Sequence, residues 1–390
     1  MTKISEGRDF VVFSDDWGRH PFSCQHIMQH FLPRNRILWV NTIGMRLPRL
    51  TVYDVKRAME KVASWTASGN GQNTPEGLRV ISPVMIPFST VPPVRAFNRW
   101  SVACAVRGAM RDWGMRSPVL LSTQPLASDF VGKLGECAVV YYCVDDFANW
   151  PGMKAPDLVR SMEAKLLDQA DLVVAVSEYL VQTRPARTGE TRLLTHGVDV
   201  AHFRQARTFR DTNAQAAPTP SPVVGFFGLI DGRMNLELVS RLVEGHPEWT
   251  FAFIGNTQVP LGELSRFGNF WHLPAVPYEE LPRHAAAFDV AILPYVVDET
   301  TAGISPLKLK EYLALDIPVV TTPLPGVMEF GEILYLAQTP DAFAAAIADA
   351  LRNGRKMLQA DWIDRESWKG KAEQLSDWID ALLMHKRSPA

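Results

Sequence analysis

The chain has 390 residues, 47% of them hydrophobic and 21% charged, with a net charge of -2; that balance excludes a disordered chain. The length exceeds what one core usually organises, so two domains are expected. No run approaches the roughly eighteen apolar residues of a membrane span, and MTKISEGRDF has no signal-like apolar core, which predicts a cytoplasmic protein; separately, no nucleic-acid partner is expected.

In chain order, FVVFS reads as a first buried strand, followed by a helix near Cys24–Phe31 and the strand RILWV. From Val94 to Trp113, Arg95, Arg99, Arg107 and Arg111 are spaced by 4, 8 and 4, a basic amphipathic helix suited to an anionic bilayer surface. The strands PVLLST and AVVYYCV, a helix near Lys154–Leu167 and the strand DLVVAVS complete a parallel α/β domain, residues 1–205. RTFRDTNAQAAPTPSP lacks apolar periodicity and predicts a linker over 206–221.

The alternation restarts with PVVGFFG, a helix near Asn235–Val243, TFAFIG, NFWHL, a helix near Tyr278–Ala287, DVAILPY, a helix from Ser305, and PVVTT. This is a second doubly wound domain, residues 222–360. A last helix, within 361–390, carries Trp362, Trp368, Leu375, Trp378 and Leu382 and is expected to pack back across the domains. Cys24, Cys104, Cys137 and Cys143 show no metal or CxxC spacing and read as lone buried thiols, with no metal and no disulfide expected. The segment from Arg34 to Arg116 holds 13 basic and 4 acidic residues, so the first domain should present a positive surface.

The most informative segment is TTAGISPLKLKEYLALDIPVV. Ser305 suits an N-cap and Pro306 a first helical position, so free N–H groups and the positive helix end should face the crevice beyond the strands. Lys308 in the first turn would neutralise phosphate charge, and Glu311, three residues on, would accept the hydroxyls of a ribose. In the first domain, VVYYCVDDF ends a buried strand with Asp145 and Asp146, which should bring at least one carboxylate to the crevice.

SPLKLKEYLA resembles the donor motif of GT-B glycosyltransferases of the bacterial surface-polysaccharide type, including glycosyltransferase family 1/4-like proteins. GFFGLIDGRMNLEL, YEELPRHAAAFDVAILPY, VVYYCVDDF and THGVDV extend the resemblance over most of the chain. It implies two Rossmann-like domains facing a cleft, no cofactor, and a nucleotide-diphosphate sugar as donor, UDP-sugar foremost. It further implies transfer to a lipid-linked saccharide acceptor at the inner face of the cytoplasmic membrane. By the same resemblance Gly228, Arg233, Gly255, Tyr295, Ser305, Lys308 and Glu311 hold the donor, with Arg233 on the β-phosphate.

Asp145, with Asp146 as its substitute, stands where the xanthan glucuronosyltransferase type has the aspartate that deprotonates the acceptor, and partial burial should raise its pKa. Asp16, Ser23 and His26 match the acceptor loop, and His196 stands close to the leaving diphosphate. Glu311 matches the second glutamate of the retaining family's pair, but Gly303 replaces the first, so donor sugar and stereochemical course do not carry over. Asp316 replaces a helix-ending glycine and reads as a left-handed cap. The alternatives are a nucleotide-sugar epimerase of the same architecture or a silent nucleotide-sugar-binding subunit.

Overall fold

The computed structural model describes residues 4–18, 22–42, 74–86, 91–149, 153, 155–212, 222–298, 301, 307–356 and 362–387. The chain divides into two compact units, Met1–Thr195 with Lys371–Ala390, and His196–Gly370.

The first unit is a seven-stranded parallel sheet of order β3-β2-β1-β4-β5-β6-β7. Its strands are β1 (Asp9–Ser14), β2 (Arg36–Asn41), β3 (Leu78–Ile81), β4 (Val119–Ser122), β5 (Ala138–Cys143), β6 (Leu172–Ala175) and β7 (Glu190–Leu193). β4, β5 and β6 are buried along their whole length, as expected of strands covered on both faces. The edge strands β3 and β7 are only half-buried, which is why their sequences carry no clear apolar run. The helices are α1 (Ser23–Phe31), α2 (Pro92–Asp112), α3 (Pro156–Gln169) and α4 (Glu178–Thr183). Chain order and strand order reverse between β1 and β4, the switch point beyond whose carboxyl ends ligands collect in such sheets.

The second unit opens with α5 (Val200–Thr212), then β8 (Val223–Phe227), α6 (Leu236–Gly245), β9 (Thr250–Ile254), β10 (Phe270–Leu273), α7 (Leu281–Ala285) and β11 (Val290–Leu293). It continues through α8 (Leu307–Ala314), β12 (Val319–Thr321), β13 (Tyr335–Leu336), α9 (Pro340–Asn353) and α10 (Trp362–Glu366). The sheet order is β10-β9-β8-β11-β12-β13, again parallel, with its switch point between β8 and β11. A last helix, α11 (Trp368–Arg387), leaves this unit, and from Lys371 its residues belong to the first.

Several expectations change. The division falls after Thr195, not at 205, because α5 belongs to the second unit and runs through the first part of the expected linker. The rest of that linker, 213–221, lies outside the described residues, as do Gly303, Ser305 and Pro306. The single C-terminal helix is two, broken at Ser367, where the chain makes a bridge with Val198. Near Tyr278 a 3-10 turn precedes the short α7. Cys24 and Cys143 are buried as expected, whereas Cys137 is half-buried and Cys104 exposed on α2. Asp316 adopts the left-handed conformation, φ 66°, that its position after α8 requires.

Candidate functional site

At the switch point of the second unit, β8 ends at Gly228, whose φ is 131°. A Cβ on this residue would stand 1.8 Å from Lys308 Cε, so the lysine lies across bare backbone that only glycine supplies. Gly255, φ 144°, is placed directly beneath: a Cβ there would meet the Gly228 carbonyl at 2.0 Å. Gly255 thus supports the Gly228 turn by close packing, and its own carbonyl lies 2.8 Å from His272 Nε2.

Glu311 follows one turn after Lys308 on α8 and is half-buried. Burial pushes its carboxyl up to about 7, against the downward pull of Lys308. Tyr278 lies within its field; burial foremost, then Glu311 and Asp199, raises the phenol's pKa. His202 stacks on Tyr278 with ring centroids 4.3 Å apart and Nε2 2.9 Å from its backbone carbonyl. Arg233, expected on the β-phosphate, holds Asp231 with its Nη2 and Nε at 2.6 and 2.9 Å. Burial raises the Asp231 carboxyl, but Arg233 outweighs it, helped by Lys308, and holds the group below the usual range. Lys308, Arg233 and Asp231 therefore share one electrostatic neighbourhood around the Gly228 turn. Tyr295 is buried in the core, its backbone bridged to Met234.

His196 contributes its backbone first, since its carbonyl accepts from Lys310 Nζ at 2.5 Å. The adjoining Gly197 leaves room for the Trp368 ring, which a Cβ would meet at 2.7 Å. Lys310, only 2% exposed at its side chain, also pairs with Glu366 at 2.5 Å. The PLKLKE segment thus sends two lysines to different tasks, and sequence reading singled out only the first.

In the first unit, β5 delivers Asp145 and Asp146 as expected, but with their environments exchanged. Asp145 is exposed, its Oδ1 accepting from the Asp146 N–H at 2.8 Å, so the burial expected to tune it is absent. Asp146 is the half-buried member, ion-paired with Arg184 Nη2 at 3.0 Å and accepting from Asn149 at 2.9 Å. Arg184 is in turn held by Glu163 at 2.8 Å, and Glu163 accepts from the buried Tyr141 hydroxyl at 2.7 Å. Glu163 and Arg184 were not legible in sequence, because nothing in a helical Glu and a loop Arg announces a shared partner.

Asp16, Ser23 and His26 are all half-buried near the carboxyl end of β1, with Ser23 opening α1. A polar cluster spans the switch point there: Ser14 Oγ lies 2.8 Å from Thr123 Oγ1, and Gln124 Nε2 donates to Asp15 at 3.1 Å. Among the described residues no group of His, Cys, Asp or Glu has the arrangement of a metal site, and no helix is long and apolar enough to cross a membrane.

Residues 221–353 match the family Glycosyl transferases group 1. A Bacillus subtilis (strain 168) protein assigned provisionally as the teichuronic acid biosynthesis glycosyltransferase TuaH is 29% identical over 178 residues, covering 43% of this chain. The aligned part spans 44% of that relative's length. Sucrose-phosphate synthase of Thermosynechococcus elongatus superposes over 97% of both chains with a TM-score of 0.60 at 14% identity. HepE of Anabaena, solved with UDP and glucose, superposes over 99% of this chain and 98% of its own with a TM-score of 0.54 at 13% identity. A UDP-forming trehalose-phosphate synthase from Burkholderia xenovorans covers 98% of this chain and all of its own with a TM-score of 0.61 at 11% identity. At such identities these structures carry the fold alone, and that fold is GT-B, built from two Rossmann-like units.

Proposed function

We propose that this chain is a glycosyltransferase that moves a sugar from a nucleotide diphosphate, a UDP-sugar, to a hydroxyl of a lipid-linked saccharide at the inner membrane surface, building a surface polysaccharide. The observation that carries the reading is Lys308 lying over the Gly228 turn with Glu311 one helical turn on. A diphosphate seated on bare backbone and a cation meets N–H donors and charge together, while the carboxylate accepts paired ribose hydroxyls. Arg233 exchanges Asp231 for the β-phosphate as the nucleoside diphosphate leaves, a pairing Arg is shaped to make in two contacts. The family match over the second unit and the teichuronic acid relative support a polysaccharide product, and the uridine nucleotide with HepE supports UDP.

In the transfer, the bond from the anomeric carbon to the diphosphate oxygen breaks, and a bond to the acceptor oxygen forms. In an inverting course the acceptor's proton passes to a carboxylate, for which Asp145, exposed beyond the end of β5, is the candidate. The test is thermal stabilisation by UDP, GDP, dTDP and CMP nucleotides and their sugars. UDP should raise the melting temperature of the wild type by mass action, and Lys308→Ala and Glu311→Ala should each lose the effect. Stabilisation by none of the panel would sink the reading.

A further inference from the structure

α2 turns an unusual surface outward. Pro93, Phe97, Trp100, Cys104, Arg107 and Arg111, spaced at three or four residues, are all exposed, so the outer stripe is apolar in its first half and basic in its second. Trp100 is 63% exposed and its ring lies tilted at 43° to that of Phe97, with centroids 6.0 Å apart. Val84 and Ile86 are exposed beside it, and not by fraying. The buried Asn98 side chain clamps the Ile86 backbone through both N–H and carbonyl at 2.8 Å, and Ser101 Oγ donates to the Val84 carbonyl at 2.7 Å. Polar side chains of α2 thus strap this segment down while its apolar side chains face water.

The charge next to the patch is of one sign. Residues 82–111 contain four arginines and no acidic residue. The carboxylate beneath, Asp129, is outnumbered: Arg95 holds it at 2.9 and 3.0 Å, and Arg99 and Lys165 stand 3.9 and 3.8 Å away. Lys133 joins them by donating to the Asp129 backbone carbonyl at 2.5 Å. Burial and the neighbouring Arg99 pull Lys133 below the usual lysine range, as expected where cations crowd. The sequence expectation of four arginines on one side is corrected here: Arg95 closes on Asp129, whereas Arg99, 3.9 Å from that carboxylate, stays exposed with Arg107 and Arg111.

We propose that the apolar half of this stripe, with Val84 and Ile86, inserts into an anionic phospholipid bilayer while Arg99, Arg107, Arg111, Lys133 and Lys165 meet its headgroups. Aromatic rings with flanking cations are the chemistry of the water–lipid boundary, where burial of apolar area and attraction to anionic lipid add. A second copy is the poorer occupant, since a two-fold contact would set these arginines against themselves. The proposal rests on the reading of a lipid-linked acceptor, but it is tested without donor or acceptor.

The experiment is co-sedimentation of the full chain with phosphatidylcholine vesicles and with vesicles of equal parts phosphatidylcholine and phosphatidylglycerol, at low and high salt. The wild type should pellet with the anionic vesicles and be released only in part as salt rises, the inserted apolar side chains holding the remainder. Arg99→Gln with Lys165→Gln should weaken binding about fivefold for each cation removed. Phe97→Ser with Trp100→Ser should lose the salt-resistant part. Far-UV circular dichroism and the cooperative melting transition report whether each variant is folded, while stabilisation by UDP, proposed for the second unit, tests the transferase reading separately. A wild type that stays in the supernatant at low salt, or variants that pellet like it, would overturn the proposal. So would a dimer abolished by Phe97→Ser with Trp100→Ser in the absence of vesicle binding.

Discussion

If Glu311 holds the donor's ribose as proposed, its ionisation couples stability to ligand response. Its folded-state pKa of about 7 lies above the ordinary 4.5, so the folded chain holds this proton more firmly than the unfolded one. The resulting stabilisation is fully present below the unfolded value and is lost as pH rises toward and through 7. Glu311→Gln removes the buried charge, so its melting temperature should exceed that of the wild type at about pH 8 and approach it near pH 5. Nucleotide affinity should move the other way. Ribose hydroxyls donate to the ionised carboxylate, so UDP binding by the wild type, followed by calorimetry, should tighten as pH rises through 7, whereas the amide variant should bind weakly with a flatter profile. A wild-type affinity that ignores pH in this window would remove Glu311 from the ribose.

At the scale of one element, α8 shows how two residues of helix separate function from architecture. Lys308 and Lys310 stand about 200° apart around the axis, so one reaches the Gly228 turn and the other the His196 carbonyl and Glu366. Lys310→Met strands Glu366 and should cost roughly 3 kcal/mol or more in chemical denaturation while leaving UDP affinity near the wild-type value. Gly228→Ala should strike both. The intruding methyl displaces the flexible end of Lys308 from its seat, so UDP affinity should fall towards that of Lys308→Ala, and the φ of 131°, which L side chains rarely adopt, should cost stability as well. The helix and its Lys308–Glu311 face were legible because helical spacing fixes which side chains share a turn. Lys310, Asp231 and Arg184 were not, because each finds its role through a partner distant in sequence or a competing local ion pair. The same limit explains Asp145 and Asp146, since strand register could bring both carboxylates to one edge but could not say which of them Arg184 would take.

Over the whole molecule, the doubly wound pattern was readable wherever strands are buried on both faces, and it failed at the half-buried edges, β3 and β7, and at the boundary. The boundary was missed because linker composition was sought after α5, while the structure divides ahead of it and sends the chain back at Lys371. Both ends of the chain therefore build the first unit. The Ser5 N–H donates to Ser376 Oγ at 3.0 Å, Arg8 pairs with Asp380, Lys371 Nζ donates to Thr195 at 3.1 Å, and Lys386 holds Asp171 at 2.6 Å. Most of these pairs are partly exposed and individually weak, so the strength of this closure must come from the buried side chains of α11, Ala372, Leu375 and Ile379. Leu375→Ala should accordingly cost roughly 2–5 kcal/mol, more than loss of any one of those surface pairs. That cost belongs to the first unit, while the proposed nucleotide contacts all lie in the second. UDP affinity measured well below the melting temperature should thus stay at the wild-type value while the first unit's amides lose protection in hydrogen exchange. If the substitution instead weakened UDP binding in proportion to its loss of stability, the two units would have to be treated as one cooperative body.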